Sequence, residues 1–154
     1  MIVRRSLAAA GLLALLPLAA ACGLFGTKPD PAEDRKSQTD RTRLEIIEVA
    51  PGSGAEARPG RHVAVHYTGW LYHPDKPAHH GRQFDSSRDR GEPIDFTIGA
   101  GEMIPGWDEG IPGMKVGGKR TLVVPPNMAY GHRGRPGIPQ DATLVFDVEL
   151  MSVQ

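Results

Sequence analysis

Few side chains in this sequence carry chemistry of their own. The one cysteine, Cys22, rules out an internal disulfide and leaves a thiolate zinc site without its usual partners. Cys22 lies outside the folding segment, so neither a Cys/His nor a Ser/His/Asp arrangement can be argued. His73, His79 and His80 cluster in one short stretch. Imidazole suits zinc, copper and nickel, but adjacent histidines in a polar loop read as solvated side chains, and no metal or other cofactor is expected. The run Gly131–Gly137, GHRGRPG, is glycine-rich and basic yet follows no phosphate-binding pattern. It reads as a flexible loop whose Arg133 and Arg135 bias it toward acidic substrates. What remains is Asp85 with Arg90 five residues on, the indole of Trp107 and the phenol of Tyr130. Taken alone, Asp85 and Arg90 read equally as a surface ion pair worth under about 1 kcal/mol.

The elements that must hold these groups are short. Nineteen glycines and fourteen prolines imply many turns. Strand patterns run over Leu44–Val49, His62–Thr68, Gln83–Ser87, Ile94–Ile98, Arg120–Val124 and Thr143–Met151. The last places Leu144, Phe146, Val148 and Leu150 on one face and Asp147 and Glu149 on the other. One stretch reads as helix, opened by Pro105 and stopped by Pro112-Gly113, with Ile104, Trp107, Ile111 and Met114 along one stripe. Its glycines are poor helix formers, so packing against the sheet must hold it. The expected architecture is α+β: an antiparallel sheet of about five strands wrapped around one short helix. In that frame Trp107, Phe96 and Phe146 read first as core.

The ends differ in character. Arg4 and Arg5 precede an apolar run that is short for a bilayer span and closes on Ala19-Ala20-Ala21, the layout of a secretory signal over residues 1–21. Residues 22–42 hold Cys22 and a charged, proline-containing stretch that cannot bury enough surface to order itself. Gly26–Thr42 would reach roughly 20–25 Å as a flexible tether. The folded domain is expected over residues 43–154. Eighteen basic residues balance eighteen acidic ones, which argues against nucleic acid as a partner.

Two resemblances follow. Leu-Ala-Ala-Ala-Cys-Gly, residues 18–23, resembles the lipobox of bacterial lipoproteins, with Ala19 where leucine is commoner. It implies lipidation of Cys22 and anchoring to a membrane on the periplasmic side, the outer membrane in a Gram-negative host. Within the domain, Val65-His-Tyr-Thr-Gly69, Phe84–Arg90, Gly106-Trp-Asp-Glu-Gly-Ile111, Met114–Lys119, Ala129-Tyr-Gly131 and Ala142–Leu150 are similar, in order and spacing, to the FKBP-type peptidyl-prolyl isomerases. The likeness runs from about residue 44 to the end.

The resemblance implies an enzyme that speeds rotation about the bond to proline. That barrier is about 18–20 kcal/mol, and it arises from amide resonance, so no proton or electron need move. The planar amide is more polar than the twisted one. An apolar pocket therefore disfavours the ground state relative to the transition state. By this likeness Trp107 is the floor, Tyr67, Phe96, Phe146 and Phe84 are walls, and Met103 and Ile104 border the entrance, with the Ile104 amide free for a substrate carbonyl. Tyr130 offers its hydroxyl, Asp85 is the polar group with Arg90 as partner, and Ile138 caps the pocket. Partners implied are proline-containing polypeptides, in particular exported ones, and macrolides of the rapamycin type. Three features depart from the family pattern: Ile94 stands where an aromatic wall is frequent, residues 72–80 form an insertion, and the loop Gly137–Ala142 is one residue short. Ile94, the shortened loop and the tether motivate the alternative of a proline-recognising binding or chaperone module with little turnover.

Overall fold

The computed structural model describes residues 42–154; the signal, Cys22 and nearly all of the tether lie outside that range. Six strands form one antiparallel sheet: β1 (Glu45–Ala50), β2 (His62–Tyr72), β3 (His80–Ser86), β4 (Ile94–Thr97), β5 (Lys119–Val124) and β6 (Leu144–Val153). Their order is β1-β5-β6-β2-β3, and β4 also pairs with β2. The long strand β2 is the reason six strands fit where about five were expected. One side of it is covered by β6, while β4 takes His62–Val65 on the other side and β3 takes Thr68–Tyr72.

Between β3 and β4 the chain leaves the sheet through a second helix, α1 (Ser87–Arg90), where a single helix was expected and Ser87 was assigned to a strand. The Ser86 hydroxyl accepts the Arg88 amide at 3.2 Å, and Gly91 closes the turn at φ 78°, the cap pair that starts and stops a helix. Ser87 itself is buried and stitches the element to β2, its hydroxyl accepting the Tyr67 amide at 2.8 Å.

The main helix, α2 (Pro105–Gly110), packs against β5. Trp107, Ile111 and Met114 are buried, as the stripe requires. Its two glycines have a packing reason. A Cβ on Gly106 would sit 2.4 Å from a Val124 methyl, and one on Gly110 would sit 2.8 Å from a Leu122 methyl. The helix backbone thus rests directly on β5. Arg120 reaches across from β5 and donates to the carbonyls of Gly110 (3.0 Å) and Pro112 (2.8 Å) while pairing with Glu48 at 2.7 Å. It satisfies carbonyls that a helix end leaves unpaired. The core on this face joins Val63, Val65, Phe96, Leu122, Val124, Leu144, Phe146, Val148 and Leu150 to the helix, including the alternate residues expected of β6.

The histidine stretch is not the solvated loop its polarity suggests. The His80 ring stacks on Trp70 at 3.8 Å, nearly parallel, and His79 stacks on Tyr72 at 4.6 Å. Tyr72 packs with Val123 and Val145 on the outer face of the sheet. The insertion therefore acts as a flap over that face. Among the described residues no group of three or more His, Cys, Asp and Glu side chains is arranged to hold a metal.

Candidate active site

A cavity of about 760 Å³ opens between α2 and the sheet, lined from every neighbouring element: Tyr67 on β2, Phe84 and Asp85 on β3, Ile94 and Asp95 on β4, Met103 and Ile104 before α2, Trp107 on it, Tyr130, Arg135, Pro136 and Ile138 on the long loop, and Phe146 on β6. A volume of this order suits a small-molecule or short-peptide ligand. A second hollow of about 570 Å³ lies on the opposite face, but its basic side chains are all ion-paired: Arg88 with Glu149, Lys119 with Glu149 and Arg120 with Glu48. None of the groups singled out for chemistry borders it.

The cavity floor is Trp107, 3% exposed. Tyr67 meets its ring edge-on at 5.0 Å and Phe146 at 5.3 Å, and Phe84 stands at 90° to Phe146 at 5.7 Å. Such edge-to-face contacts fix ring orientation beyond what burial alone would do. Among the described residues the indole Nε1–H finds no hydrogen-bond partner. Phe96, expected as a wall, is wholly buried and does not border the cavity; it supports Trp107 from behind at 5.8 Å. Its place on β4 with side chain inward made it core, as alternation alone reads.

Phe84 and Asp85 are neighbours in sequence, and in a regular strand they would face opposite ways. They share the cavity because β3 bulges there: Gly69 pairs with Asp85 while Trp70 already pairs with Gln83, which leaves Phe84 as the extra residue. The bulge also needs Gly69. A Cβ at that position would come within 2.7 Å of the Phe84 ring and 3.0 Å of Phe146.

Asp85 is the hub of a three-residue network. The Tyr67 hydroxyl donates to one carboxylate oxygen and Arg90 donates to the other, while Arg90 also donates to the Tyr67 oxygen at 3.1 Å. Arg90 thus pairs with Asp85 as expected, though it buttresses the cavity from outside the lining. Burial disfavours the Asp85 charge, but the hydrogen bonds from Tyr67 and Arg90 outweigh it, so the carboxyl ionises below its usual range. Burial, then the bond to Asp85, pushes the Tyr67 phenol up.

Two polar groups at the mouth keep a proton to offer. The Ile104 amide makes no backbone hydrogen bond among the described residues, since it precedes the first helical turn. Asp108 accepts the Gly99 amide at 2.8 Å, tying the segment before Ile104 to the helix. The Tyr130 oxygen accepts from Arg135 at 2.9 Å, which leaves the phenol proton free to donate. Ile138 is 5% exposed and lines the cavity despite the shortened loop. Its amide donates to the Arg135 carbonyl at 2.8 Å, with Gly137 at φ 85° between them, and Arg82 holds the Gly137 carbonyl at 2.7 Å. Proline then glycine at the two central positions is the signature of a type II turn. Arg135, Pro136 and Asp95 complete the lining; the Pro-Gly step was the only sequence signal that the loop folds inward here.

A cavity floored by an indole, walled by aromatic rings and rimmed by a few polar groups is of the class that takes a small, largely apolar ligand. The FKBP-type peptidyl-prolyl cis-trans isomerase family model matches residues 54–151. The FK506-binding protein of Neisseria meningitidis serogroup A is 50% identical over 111 residues, covering 71% of this chain and 95% of that protein. Peptidyl-prolyl cis-trans isomerase Fkbp12 of Drosophila melanogaster is 48% identical, over 72% of this chain and 98% of that one. Among solved structures, AtFKBP13 superposes with a TM-score of 0.62 at 40% identity, covering 72% of this chain and 93% of that one. FkpA from Escherichia coli gives 0.61 at 39%, covering 80% and 57%. The chain belongs to the FKBP-type peptidyl-prolyl cis-trans isomerases.

Proposed function

We propose that this isomerase accelerates X-Pro rotation in exported proteins, and that it does so by stripping water from the amide inside the apolar cavity. The observation that carries the reading is the Trp107 indole, buried at the cavity floor and edged by Tyr67 and Phe146. The proline ring rests on that indole, with Phe84 and Phe146 as walls and Met103, Ile104 and Ile138 around the entrance. The Ile104 amide and the Tyr130 hydroxyl hold substrate carbonyls in the twisted geometry. Asp85, fixed by Tyr67 and Arg90, presents a negative field where the proline nitrogen gains basicity as resonance is lost. No bond is made or broken, so every contribution is differential binding.

Export rests on the leader read over residues 1–21, and the periplasmic anchor on Cys22. Macrolides of the rapamycin type would occupy the same cavity.

An isomerase assay on X-Pro peptides, with and without such a macrolide, tests the reading. Trp107→Leu is expected to lower kcat/KM at least about tenfold, which corresponds to ~1.4 kcal/mol. Tyr130→Phe should lower it roughly two- to tenfold, the worth of one hydrogen bond. Undiminished activity in both variants would overturn the site. No turnover above background, alongside suppressed aggregation of a proline-free client, would make the protein a binding module instead.

A further inference from the structure

Arg135 is the single basic side chain in the cavity lining among the described residues. Its guanidinium lies 5.0 Å over the Tyr130 ring and donates one N–H to the Tyr130 oxygen at 2.9 Å. The turn that carries it is closed by reciprocal hydrogen bonds between Arg135 and Ile138, at 3.0 and 2.8 Å. It is pinned to β3 through Arg82 and Gly137. The charge is thus held at the mouth rather than left to sweep through solvent. Arg133, two residues earlier, does not border the cavity.

The two arginines beside the pocket differ in what their charge meets. Arg90 spends its charge on Asp85. Arg135 has no carboxylate within 4 Å among the described residues. A guanidinium has five N–H donors in a planar fork, and only one is engaged here. The other charge in the lining without an ion pair among the described residues is Asp95 on β4.

Resting on the isomerase reading above, we propose that Arg135 is a specificity-determining residue that selects substrates with an acidic side chain next to the proline. A substrate whose carbonyl meets the Tyr130 hydroxyl passes beside Arg135. A carboxylate on an adjacent residue can then take the free side of the guanidinium, as a two-pronged pair where its reach allows. The same position repels lysine. The preference weakens as salt rises, because the mouth is solvated.

The test uses the full chain and peptides differing only in the residue before proline (Glu, Gln or Lys), with a second set varying the residue after it. Protease-free exchange measurements give kcat/KM, and titrations give Kd for the same peptides. In one of the two sets Glu is expected to exceed Gln by roughly three- to tenfold and Lys to fall below Gln. Arg135→Gln should collapse the Glu-to-Lys ratio, Arg135→Glu should invert it, and Arg135→Lys should keep its order. The ratio cancels any general loss of activity from disturbing Tyr130. An unchanged ratio in Arg135→Gln, or no preference for Glu in either set, overturns the proposal. Turnover of the Gln peptides sustains the isomerase reading whatever the ratio does, and if turnover is absent the Kd series still decides the preference.

Discussion

Asp85 is a carboxylate kept charged by its neighbours, and that has a cost in acid. Its folded-state pKa lies below the ordinary value, near 3.9 in an unfolded chain. Its contribution to stability is therefore fully present above about pH 5 and is lost as pH falls through the lower folded value. Urea midpoints measured against pH should show Asp85→Asn less stable than the native chain near neutrality, with the gap closing in acid. A gap that stayed constant down to pH 2 would show that the network does not depend on the charge. At this scale much of the site was legible. Trp107 reads as core from its stripe and as floor from the resemblance, and one buried side chain satisfies both. Phe96 separates the two readings, since it is core only. Arg135 was visible as a charge, but its aim depends on a turn closed by Ile138, which residue type alone does not give.

The helix α2 inverts an ordinary expectation about glycine. In an exposed helix, replacing glycine by alanine adds about 1 kcal/mol of stability. Here Gly106→Ala is expected to destabilise by roughly 1–3 kcal/mol, because the added methyl meets Val124 on a packed face. A companion Val124→Ala change should recover part of the loss, and both are read from urea unfolding. Stabilisation by Gly106→Ala would mean that the helix does not rest on β5 through its backbone. The strands were legible from alternation to within a few residues. Three element-level features were not: the four-residue α1, too short for any period; the Phe84 bulge, set by pairing across strands; and the flap at residues 72–80, whose histidines gain stacking partners only in three dimensions. The bulge matters most, because without it Phe84 and Asp85 would not face one cavity.

For the molecule as a whole, the match to relatives accounts for residues 54–151, and the proposed anchor rests on Cys22 alone. Growing cells on labelled fatty acid should transfer label to the native chain and not to Cys22→Ala, which would leave the membrane fraction. Label retained by Cys22→Ala, or absent from the native chain, would remove the anchor. Among the described residues no helix is long and apolar enough to cross a membrane.

The sheet order has a further consequence. The chain enters the domain at β1, one margin of the sheet, while Phe84 and Asp85 sit on β3 at the other margin, four strands across. At about 4.8 Å per strand, that separates β1 from Phe84 and Asp85 by roughly 20 Å measured along the sheet. Residue 42 therefore leads into the margin of the sheet opposite the one that carries Phe84 and Asp85.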